Sequence, residues 1–333
     1  MKIFYIQKII VGVFNMNVLH ITVNYPTELH PIFGIFVKEQ VESLIKEGIN
    51  CDVFFSNGKE NGGLKVHLKS IGKIIKKLFH KSYDVIHCHH SISGLMLLLS
   101  GGAFINKCIL SYQNDPTREF GGKTLFWLLY PFFDRIIVKN PSSFLRYKKV
   151  VYLPNGTNSD FFRPMDKDEC KKELGWDSNK HYILYMDSNK GIRTQKRHDR
   201  YVETINLIRK ELDNIESVEL CNTPREIIPT YMNACSLHLM TSDFEGSPNS
   251  VKECLCCNTP VVSTDVGNVR DMIGDIDGCF VDNTFTAEKL AIYSVKVLTS
   301  TDPFKGRDSF LAKGYGIQEV AKKLKSLYNE TIS

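Results

Sequence analysis

The chain has 333 residues, more than one ordinary domain and enough for two, each with its own core. With 43% hydrophobic and 24% charged residues it is neither a disordered nor a collagen-like chain, and a formal net charge of +5 is too small to mark a nucleic-acid binder. The ten cysteines fall in apolar runs such as "CDVFF", "KCILSY" and "ECLCC", where the thiol acts as a small hydrophobe. Cys254, Cys256 and Cys257 lack paired zinc-site spacing, and His238 lies too far upstream to complete one. Such cysteine usage suits a reducing, cytoplasmic compartment.

The opening "MKIFYIQKIIVGVFN" (1–15) is apolar with two lysines and no small-residue cleavage site, and its apolar run is too short to span a bilayer. It reads as an extension ahead of a first strand, "NVLHITV" (17–23). "IFVKEQVESLIKE" (35–47) follows with apolar residues at a helical period, and then "CDVFF" (51–55) as a second strand.

"LKVHLKSIGKIIKKLFHKS" (64–82) holds six lysines and no acid. Leu68, Ile71, Ile74, Ile75, Leu78 and Phe79 form one helical face and Lys65, Lys69, Lys73, Lys76, Lys77 and Lys81 the other. The apolar face is expected to cover a sheet in either case, which leaves the lysine face either as an ordinary solvated surface or as one that meets anionic lipid headgroups by charge alone.

Strands "DVIHC" (84–88), "CILSY" (108–112), "RIIVK" (135–139) and "VVYL" (150–153) complete the first half. "SGLMLLLSGGAFI" (93–105) is too short to cross a membrane. "LPNGTNSDFFRP" (153–164), rich in Pro, Asn and Gly, reads as a join. Beyond it "YILYM" (182–186), "LHLMT" (237–241), "PVVST" (260–264) and "GCFV" (278–281) are strands, with helical patterns at 197–211, 225–235, 248–257, 267–273 and 286–299. Alternation of this kind predicts two Rossmann-like parallel-sheet domains, 16–160 and 161–315, facing a central cleft, with a last helix within 316–333 that can pack back on the first.

"EGSPNSVKE" (245–253) follows the strand "LHLMT". Ser247 suits an N-cap and Pro248 the first helical position. The N–H groups of Asn249, Ser250 and Val251 would then point out of the helix end as an anion site suited to phosphate. Glu253, one turn further in, could accept hydrogen bonds from a ribose diol, and Glu245 in the loop could meet sugar hydroxyls.

The string "EGSPNSVKECLCCNTPVVSTDVGNVRDMI" resembles the donor-site signature of retaining GT-B glycosyltransferases of family 4, the group 1 glycosyl transferases. "YPTELHPIFGIFVKEQVESLIKEG" (25–48), "YDVIHCHH" (83–90), "LPNGTNSDFFRP" and "REIIPTYMNAC" (225–235) are similar to further segments of that family in the same order.

The resemblance implies that Glu253 holds a ribose, and that Glu245 and the backbone from Gly246 through Ser247, Pro248, Asn249 and Ser250 to Val251 meet a donor sugar and diphosphate. Within "SNKGIRTQKRHD" (188–199) it implies a cationic pair, Arg193 and Lys196, with Lys190 as a competitor. Gly34 would let backbone approach the same diphosphate. Where many members place a histidine this chain has Gln113, which cannot titrate near neutral pH; His89 and His90 are neighbouring candidates.

No Asp-X-Asp stands at a strand end; "DKD" (166–168) and "DID" (275–277) read as solvated loop acids, so a metal-independent reaction without cofactor is expected. The implied activity is transfer of a hexose or acetamidohexose with retention, in bacterial surface polysaccharide or lipid-linked glycan assembly. The donor would be a nucleoside diphosphate sugar, a UDP-sugar ahead of a GDP-sugar, and the acceptor a glycan or lipid-linked hydroxyl. The protein would be cytoplasmic, peripheral at most on the membrane, without nucleic acid. The competing readings are a nucleotide-sugar epimerase on the same fold and a non-catalytic sugar-binding protein.

Overall fold

The computed structural model describes residues 16–187, 193–221 and 223–333; the extension 1–15 and Lys190 lie outside them. The chain divides into two compact units, one of the residues up to Gly156 with Ile317–Ser333, the other Thr157–Gly316.

The first unit runs β1 (Asn17–Thr22), α1 (Ile35–Lys46), β2 (Asn50–Phe55), α2 (Gly58–Asn61), α3 (Leu64–His80), β3 (Val85–His89), α4 (Ser91–Leu99), β4 (Cys108–Ser111), α5 (Gly122–Leu129), β5 (Arg135–Val138) and β6 (Val150–Tyr152). Its six strands pair in parallel in the order β2-β1-β3-β4-β5-β6. β3 and β4 are buried along their whole length because both faces of a parallel sheet are covered. One face packs on α3, α4 and α5 through Ile86, Cys88, Leu110 and Phe126.

The second unit runs α6 (Lys167–Glu173), β7 (His181–Met186), α7 (His198–Glu211), β8 (Ile215–Leu220), α8 (Ile228–Ala234), β9 (Leu237–Met240), α9 (Asn249–Cys256), β10 (Val261–Thr264), α10 (Val269–Ile273), β11 (Phe280–Asp282), α11 (Ala287–Leu298) and α12 (Gly306–Ala312). Its five strands are parallel in the order β11-β10-β9-β7-β8. Cys254, Cys256 and Cys257 are buried in its core.

The last helix, α13 (Ile317–Ile332), belongs to the first unit. Its Val320, Ala321, Leu324, Leu327 and Tyr328 cover the second face of the first sheet over Val18, Val85 and Ile109.

Two sequence expectations need revision. β8, "IESVEL", was not anticipated as a strand: it is an edge strand, and Glu216 and Glu219 on it blur the buried-strand pattern. On α3 the apolar face is wider than the sheet can cover: Ile74 is buried, whereas Leu64, Leu68, Ile75 and Phe79 are exposed. Two of its flanking lysines, Lys77 and Lys81, each lie 3.2 Å from Asp52. Among the described residues no helix is long and apolar enough to cross a membrane.

Candidate active site

In an open parallel sheet, ligands bind beyond the carboxyl ends of the strands where the strand order reverses. In the second unit that point lies between β7 and β9, which are adjacent although β8 separates them in sequence. The segments leaving the two strands are laced together. Thr241 Oγ1 donates to the carbonyls of Lys196 (2.9 Å) and Arg197 (3.0 Å), and Asp243 N–H donates to the Gln195 carbonyl (2.8 Å).

Arg200, buried under both segments, donates to the Thr241 carbonyl (2.6 Å) and to Asp243 (2.8 Å). This lacing sets Lys196 Nζ 2.6 Å from Glu245 Oε1, which also accepts from Ser242 Oγ at 3.0 Å. Burial opposes the charge on Glu245, but the Lys196 ammonium, the nearby Arg193 charge and the Ser242 hydroxyl outweigh it and hold the carboxyl below its ordinary range.

α9 begins at Asn249, with Pro248 in the N-cap position at φ −66° and ψ 120°. This corrects the expected assignment by one residue: the extended ψ takes Pro248 out of the helix, and no side chain caps α9. Ser247 instead accepts at Oγ from Lys252 Nζ, 3.2 Å away. Ser250 Oγ is held at 3.0 Å by His238 Nε2, whose other ring nitrogen meets the Leu184 carbonyl at 3.0 Å. Burial drives His238 down to about 4, so this ring is neutral.

Val251 faces the core, and Glu253 lies buried with Oε1 3.2 Å from Arg225 Nη1. Arg225 in turn lies over the Phe162 ring, 5.0 Å from its centre. Three contributors went unnominated from sequence: Lys252, a fully buried cation; Arg225; and Gly267. A Cβ on Gly267 would collide with the Gly246 carbonyl oxygen and lie 2.9 Å from that of Glu245. The glycine is visible in "TDVGNV", but its partner is a loop distant in sequence.

In the first unit the strand order reverses between β1 and β3. Gly34, beyond β1, has φ +69° and stands at the N-terminus of α1. A Cβ there would collide with the Asn24 carbonyl and lie 2.7 Å from Tyr25 N, so only glycine fits. His90, directly after β3, holds φ +82°, a left-handed value unusual outside glycine, and its Nδ1 accepts from Ile92 N–H at 3.3 Å.

Gln113 follows β4; its Oε1 accepts from Asn155 Nδ2 at 3.3 Å, and its Nε2 is buried with no partner among the described residues. Buried Glu119 ties these segments together. Its Oε1 accepts from Gln113 N–H (2.5 Å) and Asn114 N–H (3.2 Å), its Oε2 from Ser91 N–H (3.0 Å), and His90 Nε2 stands 3.6 Å from Oε2. Sequence gave no hint of this, because Glu119 sits in a loop rich in polar residues.

His89 is the last residue of β3, and its side chain is buried. Its Nε2 meets His20 Nδ1 at 3.0 Å, while His87 bonds Tyr328 Oη (2.6 Å) and Ser111 Oγ (2.7 Å). His20, His87 and His89 are, among the described residues, the side chains grouped closely enough to share a metal ion. Burial lowers all three; His20 falls to about 3.

Residues 193–300 match the family described as "Glycosyl transferases group 1". The sequence finds no match among curated proteins. Among solved structures the chain is similar to a sucrose-phosphate synthase from Thermosynechococcus elongatus, with TM-score 0.72, 16% identity and 95% of this chain and 99% of that one covered. It is also similar to Anabaena HepE in complex with UDP and glucose (TM-score 0.70, 12% identity, 95% and 100% covered). A glycosyltransferase from Rickettsia africae gives TM-score 0.70 at 15% identity, with 96% and 99% covered. Two parallel-sheet α/β domains that match such structures over nearly the whole chain define the GT-B glycosyltransferase fold, and the group 1 glycosyltransferase match falls on the unit that carries Glu245, Lys196 and Glu253.

Proposed function

We propose that the protein is a retaining glycosyltransferase that moves a hexose or acetamidohexose from a nucleoside diphosphate sugar to an acceptor hydroxyl. The observation that carries this reading is the Lys196–Glu245 pair at the strand-order reversal, next to the N-terminus of α9, which no side chain caps. Cations and helix N–H groups at one point suit a diphosphate; a carboxylate among them suits sugar hydroxyls.

In this reading Arg193, Lys196 and the N–H groups of Asn249, Ser250 and Val251 take the diphosphate and stabilise the charge that develops as the glycosidic bond breaks. Glu253, oriented by Arg225, accepts from the ribose diol. Glu245 holds the sugar, with Gly246, Ser247 and Pro248 as the backbone around it. Gly34 lets backbone approach the diphosphate, and Gln113 or His90 contacts the transferred sugar. The leaving phosphate takes the proton of the incoming hydroxyl on the same face, so no protein base or metal is required. HepE, solved with UDP and glucose, supports a UDP-sugar as donor. A glycan or lipid-linked acceptor in bacterial surface polysaccharide assembly, on the cytoplasmic side of a membrane, completes the proposal.

Thermal stabilisation by a panel of nucleoside diphosphates, on wild type and Glu253→Ala, tests it, because a ligand of the folded state raises the melting temperature with its concentration. The reading expects one diphosphate to stabilise wild type and to lose most of that shift in the variant. Stabilisation by free sugar alone would return the protein to sugar binding. Conversion of the donor sugar without acceptor would make it an epimerase.

A further inference from the structure

The first unit leaves large apolar side chains in solvent along one continuous band. On α3, at about 100° per residue, Leu64, Leu68, Ile75 and Phe79 fall within about 60° of one another. Phe79 is 86% exposed. The 3₁₀ turn Gly102–Phe104 is seated on this helix: a Cβ on Gly102 would come 2.7 Å from Leu78 Cδ1. That turn presents Phe104 (65% exposed) and Ile105 (81%). The Phe104 ring meets Phe132 edge-on at 5.1 Å, and the Tyr130–Phe132 turn leads to Trp127, 5.6 Å from Tyr130 and 44% exposed.

Charge decides what can cover this band. Lys65, Lys69, Lys73 and Lys76 flank the α3 stripe, and no ion pair holds them among the described residues. A second copy of the chain meeting it about a twofold axis would set lysine against lysine. A partner with an anionic surface and an apolar interior fits both features. We propose that the band is a docking face for an anionic lipid bilayer: Phe79, Phe104, Ile105 and Trp127 enter below the headgroups while the four lysines meet headgroup charge. This goes beyond contact by lysines alone, and it does not depend on sugar transfer.

The full chain carrying Trp176→Phe retains Trp127 as its single tryptophan of two, a reporter within the band. Phosphatidylcholine vesicles with and without phosphatidylglycerol, bearing brominated acyl chains, are the probe. Insertion predicts a blue shift and quenching of Trp127 with phosphatidylglycerol vesicles only. Replacing the apolar set (Phe79→Ser, Phe104→Ser, Ile105→Ser) should lower vesicle partitioning by about tenfold or more with the lysines intact, since each buried side chain contributes substantially to transfer. Circular dichroism and the nucleoside diphosphate shift should stay at wild-type values in that variant, which separates this proposal from the enzymatic one. Absence of quenching, or wild-type partitioning of the triple variant, overturns insertion. Self-association without vesicles that the triple variant abolishes would assign the band to a second copy and overturn it as well.

Discussion

Lys196 and Glu245 hold each other at 2.6 Å with little of either side chain exposed. Removing one partner of such a pair strands the other: Glu245→Gln should destabilise the second unit by about 3 kcal/mol, and Lys196→Met in the same chain should recover much of it. A bound diphosphate supplies the missing negative charge, so nucleotide should stabilise Glu245→Gln at least as much as wild type while sugar transfer falls by about a hundredfold. Melting curves with and without nucleotide, beside a turnover assay, read both quantities. A variant losing nucleotide binding and turnover together would assign Glu245 to binding alone. The pH dependence has a definite sign. The Glu245 carboxyl is held below its ordinary value, so the stability it contributes is present above the glutamate range, about 4.3, and lost as pH falls through the lowered value.

Glu119 acts on the first unit by a different route. Its carboxylate takes three backbone N–H groups, of Gln113, Asn114 and Ser91, and so fixes the segments leaving β3 and β4. Glu119→Ala leaves those donors without their acceptor, at a cost of about 3 kcal/mol or more. As a positioning residue it should raise the acceptor KM more than it lowers nucleotide affinity, and a steady-state comparison at saturating donor distinguishes that from general unfolding.

At the scale of elements, β1 and β3 carry three adjacent neutral histidines, and β9 carries a fourth, His238. Burial lowers each, so between pH 6.5 and their folded values the unfolded chain binds protons that the folded chain refuses. Stability is therefore highest above about pH 6.5 and is lost by about 1.4 kcal/mol per pH unit for each histidine as pH falls. Urea midpoints across this window should show the loss, with a shallower slope in His20→Gln; an unchanged slope would show that His20 is protonated in the fold.

The glycines set loops against each other. Gly267→Ala forces the Glu245–Gly246 backbone aside and should weaken nucleotide binding by about tenfold or more, whereas Gly48→Ala, with open space around it, tests left-handed strain alone.

Much of this was legible in the sequence. Buried strands announced themselves as β-branched runs, and the segment 245–253 placed both glutamates about one helix. What stayed hidden has a common cause. β8 is an edge strand with two acids, and Glu119 and Arg225 act through partners distant in the chain, where no periodicity points. The α9 N-terminus moved by one residue because a proline can serve as cap or as first helical residue, and only its ψ decides.

At the scale of the whole molecule, both units solve one problem in the same way, since each reverses its strand order once and gathers its polar groups beyond that point. They differ in how they close. The second unit is continuous, Thr157–Gly316, whereas the first recruits the chain end. α13 buries Val320, Leu324, Leu327 and Tyr328 on the first sheet, and Tyr328 Oη bonds His87 at 2.6 Å while Lys325 Nζ donates to the Glu47 carbonyl at 2.5 Å. At about 2 kcal/mol per buried side chain, these four contribute on the order of 8 kcal/mol, comparable with the whole stability of a typical domain. A chain ending at Gly316 should therefore lose the first unit and keep the second. Hydrogen exchange read by mass spectrometry makes the distinction: peptides from β1, β3 and β4 should exchange as in an unfolded chain, while those from β7, β9 and β10 stay protected. Protection of β3 in the truncated chain would mean that α13 covers a sheet already stable without it. Loss of protection in β9 would mean that the second unit depends on the first for its folding.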